Sequence, residues 1–253
     1  MILNVPDTRQ NTLAQRLVNG QQIVAAEAAQ EFGVSLDTIR RDILALEAAG
    51  KAHRVRGGAV PIVEPALPFH TRIADRDGPN PKLIQAAVTE IGASSTLIVD
   101  GGLTSLYVIE HLPTLEGRVV MTPSPWVAIA CQERGIEVFL LGGILSPQGG
   151  IATGAEAVNN VGTVAAEIAI LGACGIDAEF GLSSDDYSEA RMKKAMSHAA
   201  RRTLVVSDHS KINRKARHQT LALSEIDVIV TDAQQDMMEP FINLGTMVSR
   251  PDD

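Results

Sequence analysis

The chain has 253 residues, more than one small domain needs, and 45% of them are apolar, enough for a sizeable core. A net charge of −8 excludes a generic polycation, and an aromatic content of 3% argues against a stacking platform for single-stranded nucleic acid. Cys131 and Cys174 stand far apart without ligand spacing, so neither a disulfide framework nor a zinc site is expected. With no leader pattern in MILNVPDTRQ and no apolar run of about 18 residues, the sequence predicts a soluble, cytoplasmic protein with no membrane partner.

Residues Thr8 to Val18 predict a first helix, with Leu13 and Leu17 on one side and Gly20 stopping it. A short second helix follows over Ala25 to Phe32, and Gly33 then supplies a tight turn. Ser35 stands where its hydroxyl can cap a third helix that Gly50 ends. Leu36, Ile39, Ile43 and Leu46 recur at helical steps and predict one buried stripe. Thr38, Arg40 and Arg41 then fall outside that stripe, on a first turn whose free N–H groups favour phosphate. On the bland reading these arginines are a solvated face pairing with Asp37 or Asp42. Their setting favours more, because Lys51, His53, Arg54 and Arg56 alternate with Ala52 and Val55 before Gly57-Gly58 turns the chain into a basic two-stranded wing. Residues 1 to 60 carry 7 Lys and Arg against 6 Asp and Glu, while the rest of the chain is strongly acidic. Helix, turn, helix and basic wing in this order predict a winged helix-turn-helix that grips duplex DNA.

Five prolines between Pro61 and Pro81 read as a linker of limited flexibility. The organisation expected is therefore a DNA-binding domain over residues 1–60, a linker over 61–81 and an α/β domain over 82–253. Beyond Pro81 helical patterns alternate with short apolar runs at Thr96 to Val99, Arg118 to Met121, Val138 to Leu141, Ile168 to Leu171, Leu204 to Ser207 and Val228 to Thr231, with a weak pair of strands near Thr246 to Ser249. Runs apolar on both faces predict a mostly parallel sheet covered by helices.

Ligands in such sheets sit beyond the carboxyl ends of the strands, and the residues there are polar and glycine-rich. Asp100-Gly101-Gly102-Leu103-Thr104-Ser105 combines close backbone approach, two hydroxyls and a following helix, which suits a phosphate. Leu141-Gly142-Gly143, Gly172 to Asp177, and Asp208 to Lys211 follow other runs, with Asp208 placed to bind sugar hydroxyls. Glu189 and Lys193 share a face of the helix expected between Ser188 and Arg201, where the pair is an exposed ion pair or Lys193 is a counter-ion for an anionic ligand. Together these loops predict a polyol-phosphate pocket with no cofactor and no metal.

FGVSLDTIRRDILALEAAG followed by RVRGGAV, with VFLLGGILS, LGACGIDAEFGLS, EARMKKAM and VVSDHSKI further on, resembles the bacterial DeoR-type transcriptional regulators over nearly the whole chain. The resemblance implies that Ser35, Thr38, Arg40 and Arg41 meet DNA, with Arg54 supporting from the wing. It also implies an isomerase-like sensor domain holding a sugar phosphate around Asp100, Gly102, Thr104, Gly142, Gly143, Asp177 and Lys193. Three positions depart from the family pattern: Leu103 replaces a usual Thr, Pro123 a usual Asn, and Arg56 a usual wing His. The function expected is a sugar-metabolism regulator, a repressor that binds operator duplex as a homodimer or homotetramer under control of a phosphorylated sugar. The alternative is a sugar-phosphate isomerase with an appended DNA-binding module, using Asp100, Asp177 or Asp208 as base.

Overall fold

A computed structural model describes residues 6–18, 22–55, 57–61, 67–74 and 78–251. The chain divides into two compact units, Met1–Ala66 and Leu67–Asp253. In the first, helices α1 (Pro6–Val18), α2 (Ala25–Phe32) and α3 (Leu36–Ala48) pack with strands β1 (Ile23–Val24), β2 (Ala52–Val55) and β3 (Gly58–Pro61). Ser35 caps α3 by accepting from the Thr38 N–H at 3.1 Å, and Gly33 sits left-handed at φ 63° to end α2. Leu13, Leu17, Phe32, Ile39, Ile43 and Leu46 form the small core.

Leu36 departs from the predicted stripe. It is 38% exposed, and the buried face of α3 is completed instead by Asp42. Asp42 is affordable there because Arg9 Nε and Gln10 Nε2 of α1 both donate to its carboxylate. The wing is an antiparallel ladder with Val55 opposite Gly58, and β1 lies on its other side, giving the order β1-β3-β2. Gly58 must be glycine, since a Cβ there would stand 1.8 Å from the Ile23 carbonyl oxygen. The predicted stop at Gly20 and the linker proline Pro65 lie outside the described residues.

The second unit opens with α4 (Phe69–Ala74), which corrects the reading of residues 61–81 as linker. Phe69 is fully buried, meets the Trp126 ring edge-on at 4.9 Å, and its N–H donates to the Pro147 carbonyl at 2.8 Å. The chain continues through α5 (Pro81–Ile91), β4 (Thr96–Val99), α6 (Leu103–His111), β5 (Val119–Thr122), α7 (Pro125–Glu133), β6 (Glu137–Leu140), β7 (Ile144–Leu145), β8 (Ala152–Thr153), α8 (Ala155–Val161) and β9 (Ala166–Leu171). Then come β10 (Gly175–Asp177), β11 (Gly181–Ser184), α9 (Tyr187–His198), β12 (Ala200–Ser207), β13 (His218–Leu221), β14 (Val228–Thr231), α10 (Gln235–Asn243) and β15 (Met247–Ser249).

Seven strands form one parallel sheet in the order β15-β14-β12-β9-β4-β5-β6. Alternate residues face opposite ways, so Leu97 and Val99 pack under α5, α6 and α7, while Ile98 joins a second core under α8, α9 and α10. Helix α9 ends at His198, and Arg201, expected in that helix, belongs to β12. Near Thr246 one strand forms rather than two. The antiparallel sheet β10-β11-β13 and the hairpin β7-β8 were not anticipated, because runs such as Gly175-Ile176-Asp177 carry too little apolar patterning to register as strands.

Candidate functional sites

On α3, Arg40 and Arg41 are exposed. Arg40 Nη1 reaches Asp37 Oδ1 at 3.0 Å, an exposed pair that contributes only about 0.3–0.5 kcal/mol and yields readily to a phosphate. Arg41 has no such partner among the described residues. Asp42, the other acid expected beside the arginines, is committed to Arg9 inside the core and neutralises neither. Thr38 and Ser35 share a hydroxyl contact of 2.8 Å at the helix start. Arg54 of β2 stands 3.6 Å from Glu47, and Arg56 lies outside the described residues. Exposed cations thus stand along α3, at Arg40 and Arg41, and on its wing, at Arg54.

In the second unit, chain order runs outward from β4 to β6 in one direction and from β9 to β15 in the other, so the topology switches between β4 and β9. A pocket of about 260 Å³ opens beyond the carboxyl ends of β4, β9 and β12, where a switch point leaves a crevice. Its floor is an ion pair. Lys193 Nζ lies 2.9 Å from Asp100 Oδ2 and also donates to the Gly172 carbonyl at 2.9 Å, while the Gly172 N–H donates back to Asp100 Oδ2 at 3.0 Å. Burial disfavours the charged lysine, but Asp100, Cys174 and Glu189 outweigh it and raise the Lys193 pKa above its ordinary value. Asp100 Oδ1 is buried without a hydrogen-bond partner among the described residues, an orphan acceptor in the pocket wall.

The rest of the wall comes from four other segments. Gly102, Leu103 and Thr104 start α6; Asp208 and Lys211 follow β12; Gly149 and Ile151 belong to the loop after β7; and Arg72 enters from α4. Asp208 Oδ1 accepts from the Ser210 N–H at 2.8 Å, and the Lys211 ammonium has no ion-pair partner among the described residues. Glu189 is buried and accepts from the Ser146 hydroxyl at 2.6 Å. Arg72 donates through Nη2 to the Gln148 carbonyl at 2.5 Å and through Nε to the Leu67 carbonyl at 3.1 Å, with its guanidinium over the Phe69 ring. Its partial burial lowers its pKa, with Cys174 and Glu189 working against the shift. At Gly101 a Cβ would stand 2.2 Å from Ile151, so glycine lets the loop after β7 close on the loop after β4.

A DeoR-like helix-turn-helix domain model matches residues 9–64, and a DeoR C-terminal sensor domain model matches residues 82–233. The chain belongs to the DeoR family. A putative aga operon transcriptional repressor from Escherichia coli O157:H7 is 31% identical over 88% of this chain and 85% of its own. The glycerol-3-phosphate regulon repressor of Escherichia coli K12 is 29% identical over 89% and 90%, and the regulator GlpR of Haloferax volcanii 29% over 92% of each chain. This DeoR-family chain is accordingly a DNA-binding transcriptional regulator and not an isomerase. Among solved structures, ribose 5-phosphate isomerase A from Neisseria gonorrhoeae aligns at 17% identity over 51% of this chain and 52% of its own, with a TM-score of 0.38, too partial to bear on the pocket. Among the described residues no helix is long and apolar enough to cross a membrane.

Of the DeoR sensor residues expected from sequence, the structure gathers Asp100, Gly102, Thr104, Lys193, Asp208 and Lys211 in one pocket and leaves four outside it. Ser105 is buried beneath the first turn of α6. Gly142 and Gly143 form the turn from β6 to β7, away from the pocket lining. Asp177 accepts from the N–H groups of Glu179 and Phe180 and pairs with Lys215 at 3.3 Å, which makes it the brace of the turn between β10 and β11. Of the two readings of Glu189 and Lys193, the exposed ion pair gives way to buried contacts with Ser146 and Asp100, and both residues line the pocket. Sequence reasoning missed Arg72, whose signal was a lone Phe69 inside a proline-rich stretch. Pro123, the departure from an Asn, uses its carbonyl to accept from the Ala152 N–H at 2.7 Å and so anchors β8.

Proposed function

We propose that this regulator is a cytoplasmic repressor of sugar-metabolism genes that binds operator duplex through Ser35, Thr38, Arg40, Arg41 and the wing, Arg54 and Arg56, and that its grip changes when a phosphorylated sugar fills the pocket at Asp100. One observation carries the effector half. Among the described residues a buried acceptor without a donor, Asp100 Oδ1, shares a pocket with Lys211, whose ammonium has no ion-pair partner there, and with Arg72. A ligand bearing both hydroxyls and an anion satisfies both ends, the hydroxyl donating to the carboxylate and the anion meeting the cations and the start of α6. A relative named for the glycerol-3-phosphate regulon supports small phosphorylated polyols as the ligand class. On the DNA side, an arginine paired with guanine reads sequence while the wing holds phosphate without reading it. One short helix reads few base pairs, which favours a homodimer or homotetramer on repeated half-sites.

The reading is tested by fluorescence anisotropy on operator and random duplex, with thermal shifts in sugar phosphates and their unphosphorylated counterparts. Arg41→Ala is expected to weaken operator binding by about tenfold or more, as for a lost base contact of roughly 1–3 kcal/mol, and random duplex far less. A phosphorylated sugar at about a hundredfold its Kd should stabilise the chain by about 2.7 kcal/mol. Equal losses on the two duplexes reject the reading role of Arg41, and a ligand screen in which only unphosphorylated sugars shift the melting rejects the phosphate.

A further inference from the structure

Leu36 occupies the first position of α3, directly after the Ser35 cap, and is 38% exposed although its spacing matches the buried stripe. Its neighbours in that turn are already engaged. The Ser35 side chain accepts from the Thr38 N–H and shares a contact with the Thr38 hydroxyl, Asp37 pairs with Arg40, and Ile39 is fully buried. Leu36 thus presents an apolar surface at the end of α3 where the other exposed side chains are polar. A lone exposed leucine is ordinary on a protein surface, but the setting of this one is not. It stands four residues before Arg40 on the same side of the helix. The two line a groove of about 570 Å³ together with Leu44 of α3 and with Arg54 and Val55 of the wing.

We propose that Leu36 reads thymine, its side chain packing against the C5 methyl group of one base in the major groove. The proposal rests on the reading of α3 as the helix that enters the groove, and it adds a base that the polar residues of that helix do not specify. Helices of this class meet base edges with their N-terminal residues, which is where Leu36 lies. Of the groups that identify a base pair in the major groove, all but the thymine methyl are hydrogen-bond donors or acceptors. A leucine satisfies none of the polar ones. Set against the cytosine amino group it leaves a buried donor without an acceptor, whereas against thymine it removes apolar surface on both partners from water. Leu36 therefore selects thymine and rejects cytosine. The arginines select guanine through paired hydrogen bonds, so the two kinds of contact specify different bases and are separable by experiment.

The test uses the full chain and a duplex that wild type enriches from a random pool. Each thymine of that duplex is replaced in turn by deoxyuridine, which removes the methyl group and leaves base pairing and the pattern of donors and acceptors intact. Wild type should lose about fourfold in affinity at one thymine of each half-site, the loss expected for one methyl returned to water. Leu36→Ala should bind the unmodified duplex more weakly and show no response to deoxyuridine at that position, while Leu36→Met, which keeps an apolar side chain, should retain the response. Exchanging the same pair for C·G should cost wild type more than deoxyuridine does, and should cost Leu36→Ala less than it costs wild type. Because Leu36 is partly exposed and alanine suits a helix, circular dichroism and affinity for random duplex should be the same in all three proteins. A scan in which deoxyuridine costs wild type nothing at any thymine, or costs wild type and Leu36→Ala equally, overturns the proposal. Equal losses for Arg41→Ala on operator and random duplex would instead remove the reading role of Arg41, and the methyl dependence of Leu36 is measured independently of it.

Discussion

Replacing Asp100 by Asn should unfold the second unit far more easily than the loss of one surface charge would. The substitution keeps the side chain's size but strips Lys193 of the Asp100 counter-charge, leaving a buried ammonium held by neutral acceptors alone, the Gly172 carbonyl and the new amide oxygen. Breaking a buried pair from one side costs about 3–5 kcal/mol, and in a unit of this size each kcal/mol lowers the melting temperature by about 2–4 °C, so a fall on the order of 10 °C is expected. Lys193→Met strands Asp100 in the same way, with Oδ1 already lacking a donor. Removing both charges together in Asp100→Asn/Lys193→Met leaves no uncompensated ion and should return stability to within about 1–2 kcal/mol of wild type. The pH dependence follows from the raised pKa of Lys193. A lysine whose folded pKa exceeds its unfolded one contributes fully below the unfolded value, about 10.4, and loses the contribution only as pH rises through the folded one. The gap between wild type and Lys193→Met should therefore stay constant from about pH 6 to 9. Calorimetry of the full chain, following the transition of the second unit, measures all three variants. Losses in the double variant as large as the two single losses added would refute the coupling.

Two further outcomes are expected. Arg72→Ala removes the tie between α4 and the Gln148 carbonyl and one cation of the pocket, so the thermal shift produced by a sugar phosphate should shrink while circular dichroism stays as in wild type; an undiminished shift removes Arg72 from the site. Glu225 is desolvated, which alone raises its pKa, but the Ala222 N–H, His198 and Lys194 together hold it below the usual carboxylate range. A depressed carboxylate contributes above its unfolded pKa and loses that contribution as pH falls through the folded value. The melting difference between wild type and Glu225→Ala should thus narrow as the pH falls below the unfolded glutamate value, about 4.3, and a difference that does not narrow on acidification contradicts the assignment.

The first unit was legible because its signals are local. Ser35, Gly33 and the spacing of Ile39, Ile43 and Leu46 specify a capped helix without reference to anything distant. Leu36 was misplaced because periodicity cannot tell where the opposing helix ends, and Asp42 because its partner Arg9 lies 33 residues away. The sheet strands were legible because both of their faces are apolar, yet their spatial order was not. That order decided the site. Gly142-Gly143 follows a strand just as Asp100-Gly101-Gly102 does, but β6 is the edge of the sheet while β4 adjoins the switch, and nothing in either run of residues records the difference.

Most of the pocket's polar groups already have partners: Lys193 pairs with Asp100, Ser146 donates to Glu189, and Arg72 is turned toward two backbone carbonyls. A ligand gains from such a wall only by taking up what is unanswered among the described residues, Asp100 Oδ1 and Lys211, or by exchanging existing bonds for its own. Exchange is what makes a sensor, because a ligand shifts an equilibrium only to the extent that it binds the two states differently. The bonds open to exchange at Arg72 hold α4, the first helix of the second unit, and the chain that leaves α4 toward its N-terminus leads within a few residues to the wing. A ligand that claimed the Arg72 guanidinium from the Gln148 carbonyl would exchange one charge-assisted hydrogen bond for another and loosen α4 from the loop after β7.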